Sequence, residues 1–180
     1  MPPPRTVDVP AHRYPAWRER FEASNPDGPQ RIVDVQEPLP VPVAVLLVRR
    51  GGYAVALADG TGLLTHKVGT RHVQSRTAAG GWSQQRFARR RANQADALVS
   101  AVRDHLVRLL DAESLTPRSL ARGGDRTLVA EVLDDPRLRC LDGLPARDYP
   151  NLPDPRRTVL DDVVARAAAY AITIEDGPPA

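Results

Sequence analysis

Cysteine is nearly absent from this 180-residue chain, Cys140 being the only one. An internal disulfide and a cysteine-rich zinc site are thereby excluded, and a cytoplasmic location is the expectation. Aromatic residues make up only 4% of the sequence, so the core has to rest on Val, Leu and Ala. No run approaches the roughly 18 apolar residues needed to cross a bilayer. The opening Met1-Pro2-Pro3-Pro4-Arg5 has no apolar stretch behind it, which argues against a secretion signal. Lysine is as scarce as cysteine, with Lys67 the only one.

What is present fits one compact unit. A chain of this length buries about 70% of its unfolded surface as a single domain. Its 42% apolar and 26% charged content is that of an ordinary globular protein. The net charge of +3 is unevenly spread. Between Thr61 and Ala95 lie Lys67, Arg71, Arg76, Arg86, Arg89, Arg90 and Arg91 and no acid, so the rest of the chain sums to −4. Basic charge gathered in one stretch is the footprint of phosphate contact; the plain alternative is a general preference for arginine throughout the chain.

The Pro-rich first residues and the final Asp176-Gly177-Pro178-Pro179-Ala180 lack periodicity and read as loose ends, giving flexible segments 1–14 and 173–180 around a domain at 15–172. Trp17 and Phe21, four apart, predict a short helix that packs on the domain. Val43 to Val48, Tyr53 to Ala58 and Gly62 to about Ser75 read as three strands joined by turns at Gly51-Gly52 and Asp59-Gly60, an antiparallel meander. Ile32 to Val35 is a candidate edge strand. From Ser83 to about Asp111, Ala88, Ala92, Ala95, Leu98, Val99, Val102, Leu106 and Leu109 recur at helical spacing. Strands near 119–121 and 149 alternate with helices at 125–134 and about 154–170. The predicted fold is therefore α/β, a single domain with a mixed sheet, in an order shared with ribonuclease H-like folds.

The stretch Ala78-Ala79-Gly80-Gly81-Trp82-Ser83-Gln84-Gln85 joins the third strand to the long helix, whose first turns carry Arg86, Arg89, Arg90 and Arg91. Two glycines permit unusual backbone geometry, and glutamine offers donor and acceptor without a charge to desolvate. Such a loop suits entry into an RNA-lined pocket. Gly80-Gly81, Ser83 and Arg86-Phe87-Ala88-Arg89 match, without a gap, the Gly-Gly-Gln loop and basic helix in the catalytic middle domain of archaeal and eukaryotic peptide-chain release factors. The chain resembles more closely the Vms-like release factors (VLRF), whose loop places Gln after Gly-Gly-Ser. Gly69-Thr70-Arg71, the loop, the long helix and Gly123-Gly124-Asp125 together resemble the actinobacterial branch of that family.

The resemblance implies a peptidyl-tRNA hydrolase of ribosome-associated quality control. It implies peptidyl-tRNA and the large ribosomal subunit as partners, no cofactor, no metal and no membrane, with the chain acting as a monomer. It also implies a catalytic set of Gly80, Gly81, Ser83 and Gln84 or Gln85, because Trp82 occupies the position where glutamine is expected. An ester is already activated, so catalysis can work by orienting water and aiming donors at the oxyanion. Glutamine does not titrate near neutral pH and serves as an orienting group. By the resemblance, the terminal ribose 2′-hydroxyl relays the proton. Arg86, Arg89, Arg90 and Arg91, with Arg76 as a weaker candidate, are the expected RNA contacts. Trp82 is either a base-stacking platform or a loop anchor.

His66 and His72 lack a third ligand at a recognisable spacing, and His105 reads as structural. A metal-dependent ribonuclease clusters carboxylates around its ions; Val43 to Val48 carries none, and Asp59 falls in a turn. A non-catalytic tRNA- or ribosome-binding module is the remaining rival. With no obvious codon-reading domain in the sequence, codon-independent rescue is favoured over stop-codon-dependent termination.

Overall fold

The central strands owe their place to burial on both faces. In the computed structural model, which describes residues 3–26, 28–70, 82–113 and 115–177, β3 (Val43–Arg49) and β4 (Gly52–Asp59) are buried almost end to end. Near-continuous Val, Leu and Ala runs are what a sheet covered on both sides requires. β5 (Gly62–Thr70) pairs antiparallel to β4 and completes the expected meander. Beyond it, β6 (Ser119–Gly124) runs parallel to β3, and β7 (Ala146–Tyr149) runs parallel to β6. The five-stranded sheet has the order β5-β4-β3-β6-β7.

Alternate residues of the same strands face opposite cores. Ala44, Leu46, Val48, Val55 and Leu57 meet the helix α2 (Trp82–Ala112), through Leu98, Val102, Leu106 and Leu109, and also α3 (Arg126–Leu133), through Leu128, Val129 and Val132. Val43, Val45, Leu47, Ala54 and Ala56 meet α4 (Arg157–Ala167) through Leu160 and Val163. The molecule is thus a single-domain α/β structure with helices on both faces of a mixed sheet, as the sequence pattern implies.

The two ends of the chain differ from expectation. Residues 5–10 form β1 (Arg5–Pro10) and residues 169–176 form β8 (Ala169–Asp176). With β2 (Gln30–Gln36) they make a second, three-stranded sheet in the order β1-β8-β2. Both stretches were hidden by composition. Proline content masked the alternation of Val7 and Val9 in β1, and the alanines of α4 carried the helical pattern into Tyr170, where the chain has already turned into β8. The Ile32–Val35 strand exists, as an edge of this second sheet and not of the meander. The short helix α1 (Tyr14–Ala23) lays Tyr14, Trp17 and Phe21 against Ile172 and Ile174, with Tyr14 stacked on Tyr170 at 4.0 Å.

Arg147 ties the two sheets together. It is 7% exposed, and its guanidinium donates to the carbonyl oxygens of Glu37 (2.5 Å), Arg166 (2.8 Å) and Ala169 (3.1 Å). The partners are a carbonyl just past β2, one in the last turn of α4 and one at the start of β8, where backbone acceptors have capacity to spare. Arg166 adds a bond to Asp8 of β1 at 2.7 Å, with its guanidinium over the Tyr149 ring.

A second polar cluster fixes α2. Arg137 bridges Asp135 (2.7 Å) and Asp104 of α2 (3.0 Å), while Arg103 of α2 donates to the Glu131 carbonyl oxygen and lies 3.9 Å from Asp135. The Arg137 side chain first, then its backbone N–H, hold the Asp135 carboxyl down from 3.8 to about 2. A depressed carboxylate stabilises the fold above its unfolded pKa, and that contribution is lost as pH falls through the folded value. Thermal midpoints measured from pH 6 down to 2 are therefore expected to place Asp135→Asn below wild type at pH 6, with the gap closing between about pH 4 and 2. A gap independent of pH would show that the Asp135 charge is not what holds this cluster.

Candidate functional site

The elements expected to carry chemistry converge on one end of the large sheet. β3, β6 and β7 are parallel and β5 runs in the same direction, so all four end together. Chain reversal points of this kind, outside the carboxyl ends of parallel strands, are where α/β proteins bind ligands. Here β3 leads leftward into the meander, whereas β6 leads rightward through α3 to β7. The switch point lies between β3 and β6.

The floor of that end is made by backbone. Gly124 has φ +98°, and a Cβ there would sit on the Val48 carbonyl oxygen. A Cβ on Gly123 would lie 2.6 Å from both the Leu152 Cδ1 and the Tyr149 carbonyl oxygen. The glycine pair therefore lets the β6–α3 turn wrap tightly over the end of β3. Asp125 then accepts from the Thr127 and Leu128 N–H groups at 3.0 and 3.3 Å and caps α3, while its own N–H donates to the Val48 carbonyl oxygen at 2.8 Å.

Two cavities flank this turn. One, of about 410 Å³, lies over Gly123, Gly124, Tyr149 and Pro150 and is walled by Arg122, Arg126 and Asp148. Arg122 and Asp148 face each other across β6 and β7, with Nε to Oδ1 at 2.5 Å. This bond is the main reason that the arginine is shifted up and the aspartate down. The other cavity, of about 700 Å³, lies at the switch point between Arg49-Arg50-Gly51 and Gly124-Asp125, closed by Pro150 to Asp154. Arg49 donates to the Leu152 carbonyl oxygen and lies 3.9 Å from Asp154. Both cavities are lined by residues outside the basic stretch at 61–95, so its charge does not point to them. The arginines at strand ends beside glycine, Arg49-Arg50-Gly51 and Arg122-Gly123, were the available signal.

The long helix brings the predicted catalytic stretch to the same end. α2 begins at Trp82, so Trp82, Ser83, Gln84 and Gln85 occupy its first turn, and Arg86, Arg89, Arg90 and Arg91 its next two. Ala92 and Ala95 line a cleft shared with Arg50, Asp125 and Thr127. Ala92 and Asn93 are exposed, Ala95 is half-buried and Leu98 is fully buried. Along the described part of the stripe, cover by the sheet thus increases from Ala92 through Ala95 to Leu98. Arg89 is exposed. Arg71, Arg76, Gly80 and Gly81 lie outside the described residues, as does His72.

The remaining candidates settle into structural roles. His105 donates from Nδ1 to the Ala101 carbonyl oxygen at 2.5 Å and lies 3.3 Å from the Tyr53 hydroxyl. His66 Nε2 lies 3.0 Å from an Arg157 nitrogen. Asp59 accepts from Thr61 N and Oγ1 at 2.7 Å and from Gly62 N at 3.1 Å, closing its own turn. Among the described residues no group of three or more His, Cys, Asp or Glu is placed to hold a metal, and no helix is long and apolar enough to cross a membrane.

The fold is a single α/β domain whose long helix passes the carboxyl ends of the parallel strands. Residues 41–173 match the family model described as Actinobacteria/chloroflexi VLRF1 release factor, and the chain belongs to that family. The match spans the large sheet, all three of its helices and most of β8, and leaves β1, α1 and β2 outside it. No curated protein matches the chain. Membership assigns it to the release factors of translation.

Proposed function

We propose that the chain is a codon-independent peptidyl-tRNA hydrolase that frees nascent peptide from tRNA on stalled ribosomes or large subunits. The observation that carries this reading is the Gly80-Gly81-Trp82-Ser83-Gln84-Gln85 segment leading into a basic helix whose Ala92 and Ala95 line the cleft at the sheet end. Water attacks the ester carbonyl carbon, the acyl C–O bond breaks, and the tRNA ribose oxygen leaves with a proton. The first turn of α2 offers backbone N–H groups without helical acceptors and the positive end of the helix dipole, both suited to an oxyanion.

The match of Ser83-Gln84 to the Ser-Gln pair of the family's loop supports Gln84 as the residue that orients water, with Gln85 as the alternative. Arg89 is exposed, and the run of Arg86, Arg89, Arg90 and Arg91 without an intervening acid supports RNA contact by these arginines and Trp82, with Arg76 a weaker contact. Gly80, Gly81 and Ser83 complete the proposed catalytic set.

The reading is tested on ribosomes halted at a sense codon or at a stop codon, loaded with labelled peptidyl-tRNA. Equal release from both is expected. Release confined to the stop codon would overturn codon independence, and binding without release from either would favour the non-catalytic module.

A further inference from the structure

We propose that the crevice between the ends of β3 and β6 holds the phosphate backbone of the tRNA acceptor stem, with Arg50 as the phosphate contact. The inference rests on the hydrolase reading, because it needs an RNA whose ester is presented at the start of α2. Three observations lead to it. The cavity of about 700 Å³ lies at the topological switch point, the position at which α/β sheets take ligands. The other charges of its lining are committed: Arg49 to the Leu152 carbonyl oxygen and Asp154, and Asp125 to the first N–H groups of α3. Arg50 is exposed and has no carboxylate partner among the described residues.

Position decides which part of an RNA reaches it. Arg50 also lines the neighbouring cleft with Ala92 and Ala95 of α2, so the crevice lies about 15 to 20 Å down the helix from Trp82. At about 3.4 Å per stacked nucleotide this is on the order of five nucleotides. An ester held at the start of α2 is covalently continuous with the tRNA strand alone. That strand, followed toward the body of the protein, meets Arg50 where the single-stranded end gives way to the stem. Ribosomal RNA has no such obligation to pass here. The crevice is lined by two arginines and two aspartates; with Arg49 set against Asp154 and Asp125 against the first N–H groups of α3, Arg50 is the one uncommitted cation and the contact is a single positioned phosphate, not a general polyanion surface. Arginine's planar fork suits that contact.

The test compares Arg50→Gln with wild type by fluorescence anisotropy on two RNAs: an acceptor-stem minihelix with its single-stranded 3′ end, and that 3′ end alone. Arg50 sits in an exposed turn, so the variant is expected to fold. The minihelix dissociation constant is expected to rise about tenfold, with the salt slope shallower by about one, and binding of the single strand to stay unchanged. Arg118→Gln, an exposed arginine at the opposite end of the sheet, should leave both unchanged. Equal minihelix binding by Arg50→Gln and wild type, equal weakening on both RNAs, or an effect seen only with large subunits would each overturn the proposal. Peptide release is measured in parallel. Arg50-dependent minihelix binding without release would keep this site and remove the hydrolase reading; release with Arg50-independent binding would do the reverse.

Discussion

Gln84→Ala is expected to slow single-turnover peptide release by about 100-fold or more, the cost of removing one positioned group from a site that works by orientation. Gln85→Ala is expected to stay within about threefold of wild type. Ser83-Gln84 resembles the Ser-Gln pair of the family's loop, and Gln85 falls one residue beyond that match. Because glutamine does not titrate, the loss should be the same across neutral pH, unlike the loss of a general base. Both variants should bind large subunits as wild type does. Full activity in both would make the positioning mechanism wrong, and a selective loss in Gln85→Ala would move the catalytic role by one residue.

The largest stability effect is expected at Gly124. Its φ of +98° is left-handed backbone, and an added methyl group meets the Val48 carbonyl oxygen, which itself accepts from Asp125 N–H. The two nearest atoms, Val48 O and C, are backbone and cannot swing away; only the third, Arg49 Cγ, belongs to a side chain that can. Strain and overlap act together in Gly124→Ala, and a loss of about 4 kcal/mol or more is expected in urea unfolding. Gly60→Ala is the matched control, since a Cβ there meets nothing within 4 Å, and should change stability by less than about 0.5 kcal/mol. A Gly124→Ala protein as stable as the control would show that the β6–α3 turn can relax, contrary to its tight wrap over β3. The same turn forms the floor of both cavities, so its stability and the shape of the site are one matter.

How much of this was legible depended on burial. β3 and β4 were readable because both faces are covered, leaving unbroken apolar runs bounded by glycine turns. α2 was readable because Leu98, Val102, Leu106 and Leu109 keep a strict helical interval. β1 and β8 were not. β1 is an edge of a small sheet and buries only Val9 fully, so Val7 and Val9 between polar neighbours and prolines gave little signal, although β8 at the centre of that sheet is well covered. β8 also follows α4 after a single residue. The candidate loop was legible as a motif of glycines and glutamines beside arginines. The crevice was not, because Arg50, Gly124 and Asp154 are distant in sequence and meet only through the parallel pairing of β3 with β6. Long-range pairing of this kind leaves no local periodicity to read.

The most direct measurement is the rate at which purified wild-type protein releases labelled peptide from peptidyl-tRNA held on isolated large subunits, without mRNA and under single-turnover conditions. The account predicts release well above the spontaneous rate of ester hydrolysis. Binding to those subunits with no release above that rate would contradict it.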